Sequence, residues 1–216
     1  MIQPIFTFDK LLQRLQLGKE VTPFVIWREN DLFGTHDNPV KIDIPCLFLC
    51  LDGEMQLDIN LQSYRFNREH LLCFIAPCAC RIVSRSPGFR CVGLLLSKSF
   101  WRQLVLAERT LGKIAIRDAF IAVNDDEHGR LTRFYELLCL CADAPGLRDS
   151  ADTLYPLIRG MFCQVRNICR RLEDIATPAS HSEKIFYDFL DLLHTHYRKQ
   201  RRVSFYAGEL SLTPRH

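Results

Sequence analysis

The sequence predicts an α+β protein in which an antiparallel β-barrel or sandwich is followed by helices. Three observations lead to this prediction. First, residues 24–96 contain about seven short apolar or alternating segments at roughly ten-residue spacing, separated by turn residues, as is typical of an all-β domain. Second, apolar residues recur with the 3.6-residue period of helices from Ser97 onwards. Third, helix-start signals separated by short breaks fill Ser180–His216.

The strand region follows a short predicted helix at Phe8–Leu17 and begins after Pro23. The segment Cys46–Leu51 is apolar on both faces, as in a strand that is buried on both sides. A hairpin signal, Asp52-Gly53, then leads into residues 54–62, which alternate between apolar and polar side chains. The other strands are expected at Phe24–Glu29, Val40–Ile44, Leu71–Ala76, Cys80–Arg85 and Phe89–Leu96.

The helical region is predicted to hold three helices before residue 176. The first contains Phe100 and Leu104, is expected to lie across the barrel, and is followed by a loop at 112–123. Asn124, with the acidic residues after it, is a favourable N-cap for the second helix. The third is expected to have its N-cap near Thr153, because Pro156 is tolerated only in the first turn of a helix.

The third helix carries an apolar stripe at alternating separations of four and three residues, which is the spacing of a coiled-coil seam. Two interpretations of this stripe remain open. Either the stripe packs on the preceding helix of the same subunit, or these two helices form a hairpin that packs against the same hairpin of a second subunit across a two-fold axis. The stripe consists of Leu154, Ile158, Met161, Val165, Ile168 and Leu172.

The C-terminal segment predicts a series of helices. Ser180–Glu183 is a capping box at the start of an amphipathic helix, and a basic break, Arg198–Arg202, follows it. Val203, Tyr206, Ala207 and Leu210 then share one face of a short second helix. Thr213-Pro214 is a third helix start, two residues before the last residue of the sequence. Since a single partial turn cannot hold itself together, we expect the sequence to be part of a longer protein.

The runs Ile185–Phe189, Val203–Ala207 and Leu210–His216 resemble the start of the DNA-binding domain in AraC-type bacterial transcription regulators. The resemblance is strongest to the Bacteroidetes branch, in which a cupin-like sensor precedes that domain. It implies three parts: a cupin-like effector-sensing barrel at 1–112, a helical dimerisation hairpin and linker at 113–178, and the truncated start of a helix-turn-helix domain at 179–216.

The resemblance also implies partners. It favours the intersubunit interpretation of the apolar stripe, and therefore a homodimer. DNA is expected as a partner of the full-length protein only, and a small-molecule effector of unknown identity is expected in the barrel. The residues that match the DNA-contacting positions are Ser204, Thr213, Arg215 and His216.

The candidate effector contacts are aromatic and polar residues that could line the mouth of a barrel. Arginines are also frequent in the second half of the strand region, which would suit an anionic ligand, although a solvated strand face explains them equally. The candidate contacts are Trp27, Phe48, Tyr64, His70 and Arg81.

Enzymatic motifs are missing from the sequence, so the protein is not predicted to be an enzyme. His70 is the single histidine between Cys46 and Leu96, whereas a metal-dependent cupin requires a His-x-His pair and further ligands. Neither a metal nor a cofactor is expected. Most of the ten cysteines lie in apolar segments or helices and are expected to be reduced thiols. The alternative function is a metal-free cupin acting as an enzyme or small-molecule carrier.

Composition adds limits on partners and location. The net charge of +3 is too small to indicate nucleic-acid binding by itself. The sequence has no apolar run of about 18 residues, so no membrane span is expected. Its N-terminus shows no secretory signal, which predicts a cytoplasmic protein.

Overall fold

The computed structural model describes residues 5–15, 23–28, 38–74, 77–107, 119–144, 151–175, 185, 188–189, 192–193, 196 and 199–212. By its internal contacts the chain divides into two units, Met1–Leu172 and Glu173–His216. The first unit contains all of the strands and most of the described helices.

The described secondary structure comprises ten strands and five helices in chain order. The strands are β1 (Ile5–Thr7), β2 (Phe24–Trp27), β3 (Val40–Asp43), β4 (Cys46–Asp52), β5 (Met55–Ile59), β6 (Gln62–Phe66), β7 (His70–Phe74), β8 (Cys78–Arg85), β9 (Arg90–Leu96) and β10 (Phe120–Ala122). The helices are α1 (Phe8–Arg14), α2 (Lys98–Ala107), α3 (Asp125–Asp143), α4 (Ala151–Ile175) and α5 (Val203–Glu209).

The strands form two five-stranded sheets. Sheet A has the order β1-β3-β8-β5-β6, and sheet B has the order β10-β7-β4-β9-β2. All pairings are antiparallel except the pairing of β1 with β3, which is parallel. The predicted α+β class is confirmed. The predicted closed barrel is not: in the described part of the chain no strand of one sheet pairs with a strand of the other.

Sheet B is buried on both faces, as the apolar character of β4 predicts. Cys46, Phe48 and Cys50 belong to the core between the two sheets. Leu47 and Leu49, whose side chains point to the opposite face, pack in a second core beneath the helices. A strand that faces a sheet on one side and helices on the other must be apolar at successive residues, which explains the sequence of β4.

The predicted strand 54–62 is wrong at its C-terminal end. Asn60 and Leu61 have φ values of +48° and +72°, and they form a two-residue hairpin loop between β5 and β6. Both central residues of such a turn adopt positive φ. Leu61 is fully exposed at the tip of the hairpin, although the alternating pattern assigned it to the core. A leucine in this conformation gives no turn signal, so β6 was not recognised as a separate strand.

The apolar stripe of α4 is buried inside its own chain. Its first five members are between 0% and 3% exposed: Leu154, Ile158, Met161, Val165 and Ile168. They belong to the core that also contains residues of sheet B and of α3, and Leu172 packs against this core with partial exposure. The structure therefore favours the intrachain interpretation, because the stripe faces residues of the same chain. A homodimer remains a prediction and would have to use other surfaces.

The two helices of the hairpin differ in how well their starts were predicted. Asn124 caps α3 as expected: its side chain accepts from the Glu127 amide, and the Glu127 carboxylate accepts from the Asn124 amide. The predicted start of α4 near Thr153 is too late, because the helix begins at Ala151 and Pro156 is its sixth residue, beyond the first turn. The strand β10 lies in the region predicted as a loop. No helix in the described ranges is long and apolar enough to cross a membrane.

Candidate functional site

Aromatic rings meet where the edge strands of the two sheets come together. β6 ends sheet A and β10 ends sheet B in the strand order. Phe120 of β10 lies at the centre of this group: the Tyr64 ring stacks on it at a centroid distance of 4.4 Å and an interplanar angle of 7°. Phe66 and His70 contact it edge-on at 6.2 and 5.8 Å. We call Tyr64, Phe66, His70 and Phe120 the aromatic edge cluster.

The cluster has a buried part and an accessible part. Phe66 and Phe120 are 0% and 9% exposed, whereas Tyr64 and His70 are only partly buried. The Tyr64 hydroxyl donates to Gln62 Oε1 at 2.7 Å, which holds its polar end at the surface. A cluster with an apolar interior and polar groups at its rim has the composition of a small-molecule site.

The imidazole of His70 is held by a neighbouring side chain. Its Nδ1 lies 2.8 Å from Asn67 Oδ1, which is an acceptor, so Nδ1 carries the proton in the neutral ring. Asn67 Oδ1 also accepts from the Glu69 amide at 3.1 Å. In this tautomer Nε2 is the acceptor nitrogen, and a hydroxyl or amide of a ligand could donate to it.

The structure brings together only two of the five candidate effector contacts, Tyr64 and His70. Trp27 and Phe48 are each 2% exposed in the core between the sheets. The Phe48 ring lies over the backbone of Gly93, its partner across the sheet, so closely that a Cβ at Gly93 would be 2.3 Å from the ring. Both are core residues because large apolar side chains fill the space between the sheets.

Arg81, the fifth candidate, lies away from the cluster. It is exposed on the strand β8 between Cys80, which faces the core, and the partly buried Ile82. Its guanidinium pairs with the Asp58 carboxylate through Nε at 3.1 Å. The Ser63 hydroxyl donates to the same carboxylate, and together these contacts lower the pKa of Asp58, with the Ser63 hydrogen bond as the larger cause. This arrangement supports the interpretation of the arginines as a solvated strand face.

A concavity of about 550 Å³ adjoins the strands β5, β6 and β8. Its charged groups include Glu54 and Arg65, which form an ion pair with each other. Because this carboxylate and this guanidinium already satisfy one another, the groove resembles a hydrated sheet surface more than a prepared ligand site. Its lining residues are Glu54, Gln56, Ser63, Tyr64, Arg65, Ser84, Arg85 and Ser86.

An ion pair lies behind the cluster, on the helical side of β10. Arg171 of α4 donates to both carboxylate oxygens of Glu127, from Nε at 2.7 Å and from Nη2 at 2.8 Å. Its Nη2 also donates to the carbonyl oxygen of Ala122, the last residue of β10, at 3.1 Å. The Glu127 side chain is 6% exposed and that of Arg171 35%. This geometry joins β10, α3 and α4 at one point.

The cysteines of the strands show the chemistry of buried thiols. Burial raises the pKa of Cys50 to about 11 and that of Cys78, Cys80 and Cys91 to about 12. A thiol is neutral far below such values and is then a poor metal ligand and nucleophile. Across the described residues, no three His, Cys, Asp or Glu side chains are grouped so that they could hold a metal ion.

The second unit is described mainly around α5. Tyr206 and Ala207 are its buried residues, at 5% and 8% exposure. The Tyr206 hydroxyl donates to the carbonyl of Gln200 at 2.7 Å, and its ring contacts Phe189 edge-on at 5.6 Å. The helix ends in a turn in which Ser211 has a φ of +55° and the Leu212 amide donates to the Ala207 carbonyl at 2.7 Å.

The candidate DNA contacts are only partly described. Ser204 is exposed in the first turn of α5, as a DNA-contacting residue must be. Thr213, Arg215 and His216 lie outside the described residues, as do the capping box at Ser180–Glu183 and the linker up to it. Their roles remain predictions.

Two residues that matter at this site were missed by sequence reasoning. Phe120 lies in a three-residue strand, which is too short to show a period. Arg171 lies near the C-terminal end of α4, four residues before Ile175, where a basic residue is ordinarily explained by the helix dipole. The capping motif at Asn124 identified Glu127, but nothing in the sequence identified Arg171 as its ion-pair partner.

No protein-family model and no curated protein matches the chain. Solved structures that match it include a variant of ToxT from Vibrio cholerae in its apo form, at 14% identity over 89% of this chain and 72% of that one, with a TM-score of 0.44. ToxT bound to an unsaturated fatty acid matches at 15% identity over 91% and 72%, also with a TM-score of 0.44. The AraC-like transcriptional activator CuxR matches at 11% identity over 90% and 65%, with a TM-score of 0.43. Each of these three structures is at most 15% identical to the chain, and one of them is of an AraC-like transcriptional activator.

Proposed function

We propose that the chain is the effector-sensing part of an AraC-type transcription regulator, together with the first helices of its DNA-binding domain. The observation that carries the proposal is the structure around α5. The Tyr206-Ala207 pair, which carries the sequence resemblance, is buried, and a tight turn ends the helix at Ser211. A short helix followed by a tight turn is the arrangement expected of the first half of a helix-turn-helix motif.

The effector site in this proposal is the aromatic edge cluster. Tyr64 and His70 are partly exposed there, and Phe120 presents an aromatic face that Tyr64 now covers. A flat or elongated apolar ligand with one polar group suits such a site, because it can replace the Tyr64 ring and bind His70 at its polar end. Binding at this edge does not require an empty interior between the sheets.

The remaining features of the proposal follow the family resemblance. The protein acts in the cytoplasm as a homodimer, and dimerisation uses surfaces other than the buried stripe of α4. The branch of the family is the Bacteroidetes type. None of the proposed roles requires a metal or a cofactor.

DNA binding is tested with the protein expressed from its complete reading frame. Random double-stranded DNA is selected on the immobilised protein, and the expected result is enrichment of a defined sequence. Ser204→Glu places a negative charge next to the phosphates and should weaken binding about tenfold or more. The matched control is Ser99→Glu, which adds the same charge at an exposed position of α2 and should bind as the native protein does. Failure to enrich any sequence would refute the proposal in favour of an enzyme or carrier.

Effector binding is tested by thermal shift with aromatic carboxylates, sugars and unsaturated fatty acids as probes, because a ligand of the folded state raises the melting temperature. Phe120→Leu should abolish the shift that an effector produces. Phe100→Leu is the control: it makes the same change at a residue that is 5% exposed in the core beneath the helices. A shift that survives in Phe120→Leu would place the effector elsewhere.

A further inference from the structure

Arg171 connects the aromatic edge cluster to the end of the first unit. It is on α4 one residue before Leu172, the last residue of that unit, and α4 itself continues to Ile175. Through Nη2 it binds the carbonyl of Ala122 at 3.1 Å, and Ala122 is two residues from Phe120 on the same three-residue strand. A displacement of Phe120 therefore reaches Arg171 over a single short strand.

β10 is the edge strand of sheet B next to β7 in the described part of the chain. It pairs with β7 through Phe120, Ile121 and Ala122, and hydrogen bonds from the Cys73 amide to the Ala119 carbonyl and from the Val123 amide to the Glu69 carbonyl extend this pairing by one residue at each end. A short strand that is paired along one edge has fewer hydrogen bonds to break than a central strand, so a shift of β10 costs less than a shift of β4 or β7 would. The stacking of Tyr64 on Phe120 is one of the contacts that hold the strand in place.

The ion pair with Glu127 stiffens the connection between β10 and α4 that Arg171 makes. Glu127 is 5% exposed, and its carboxylate accepts from Arg171 and from the Asn124 amide, which is two residues after Ala122. Separating the pair leaves the buried Glu127 carboxylate without its charged partner, so the two groups tend to move together. The C-terminal end of β10 and the last turns of α4 are thus held by the same two side chains.

We propose that the Glu127–Arg171 pair transmits the position of β10 to the C-terminal end of α4, so that occupancy of the aromatic edge cluster alters the helix through which the chain enters its second unit. This inference rests on the proposed function for its biological meaning. The physical coupling itself is a property of these side chains and is measurable without any ligand.

The experiment is amide hydrogen exchange by NMR in the last turns of α4, residues 168–172, with the full chain. Tyr64→Leu serves as the perturbation, since it removes the ring that covers Phe120. It should accelerate exchange in these turns at least about fivefold when Arg171 is present and less than about twofold in the Arg171→Gln background. Equal acceleration in both backgrounds, or no acceleration in the native background, would overturn the proposal.

Matched variants separate coupling from general destabilisation. Arg170→Gln makes the same substitution at the neighbouring exposed arginine and should leave the fivefold effect intact. Loss of the effect in Arg170→Gln would count against the ion pair. Tyr64→Phe keeps the aromatic ring and should not accelerate exchange. If Arg171→Gln does not give a native near-ultraviolet circular dichroism spectrum, Arg171→Lys replaces it, because lysine keeps the charge but cannot bind both carboxylate oxygens.

The outcomes distinguish this inference from the proposed function. If the exchange experiment shows coupling but no compound gives a thermal shift, transmission by the Glu127–Arg171 pair is supported and the proposed ligand site must be revised. If an effector binds the cluster but the effects of Tyr64→Leu and Arg171→Gln on amide exchange are additive, transmission by the ion pair is overturned and the proposed function is not.

Discussion

Tyr64 and Phe120 stack with their ring planes 7° apart and their centroids 4.4 Å apart, although they belong to different sheets. In the described structure this contact closes the side of the sandwich where β6 meets β10. At the opposite ends of the strand orders, Leu11 and Leu12 of α1 fill the core, and Arg14 lies over the Trp27 ring at 6.0 Å. A helix thus helps to close one side, whereas two aromatic rings close the other, which is the side that a ligand could open.

Phe120→Ala should destabilise the protein by about 3 kcal/mol, because it removes a buried ring and the support of three neighbouring aromatic side chains. Tyr64→Phe should cost less than about 1 kcal/mol, since it removes only the hydrogen bond to Gln62 at the surface. Urea unfolding followed by circular dichroism measures both. Val83→Ala, at a position that is 48% exposed, is the control and should change stability little. An unchanged midpoint in Phe120→Ala would contradict the packing described.

Glu127→Ala should destabilise the chain by about 1–2 kcal/mol, because Arg171 is 35% exposed and water can solvate it once the carboxylate is removed. The substitution leaves Arg171 without its carboxylate partner and also removes half of the capping box at Asn124. Glu136→Ala is the matched control, because Glu136 lies exposed on the same helix, and its effect should stay within about 0.5 kcal/mol. Chemical unfolding of the two variants side by side measures the difference. Equal stability of both would mean that the ion pair contributes nothing net.

The apolar stripe of α4 leads to a prediction about oligomeric state. Ile158→Ala should destabilise the fold by about 3 kcal/mol at every protein concentration, because Ile158 is fully buried in its own chain. Leu140 of α3 is 69% exposed, so Leu140→Ala should leave the stability of the fold nearly unchanged. Urea unfolding at several protein concentrations, with light scattering on the same samples, measures both. A stripe that formed a subunit interface would instead give an unfolding midpoint for Ile158→Ala that depends on protein concentration.

The elements that the sequence predicted well are those whose signals are local. The apolar run of β4, the alternation in β3 and the capping residues at Asn124 act over a few residues, and each appears in the structure as expected. The hairpin at Asn60-Leu61 was missed because its second residue is unusual at positive φ.

The site itself could be predicted only in part. Aromatic content identified Tyr64 and His70, but their meeting point is Phe120, which is 50 or more residues later in the sequence and pairs through β10. The direction in which α4 points its stripe was not decidable from spacing, since a core helix and a coiled-coil helix share that pattern. Tertiary contacts decide both questions.

Asp58 should make the fold sensitive to acid. Hydrogen bonds from Ser63 and then from Arg81 lower its pKa in the folded state. A carboxyl with a lowered pKa contributes stability above its unfolded pKa of about 4, and this contribution is lost as the pH falls through the folded value. NMR titration of the Asp58 carboxyl in the native protein and in Ser63→Ala measures the effect. The pKa should rise in Ser63→Ala; a pKa that does not move would show that the hydroxyl contributes nothing.

The buried thiols should make the fold sensitive to alkali, in the opposite sense to Asp58. Burial raises the pKa of Cys91 to about 12, whereas an unfolded cysteine ionises near 8.5. Between these values the unfolded state loses its proton and the native state keeps it, so stability falls as the pH rises from about 8.5 towards 12.

Cys91→Ala should therefore make the decline of the unfolding free energy between about pH 8.5 and 10.5 shallower, by up to about 1.4 kcal/mol per pH unit. The measurement is urea unfolding under reducing conditions. The lost packing shifts the curve equally at every pH, so the value at pH 7 is the internal control and only the slope carries the result. An unaltered slope would mean that Cys91 ionises as readily in the native protein as in the unfolded chain.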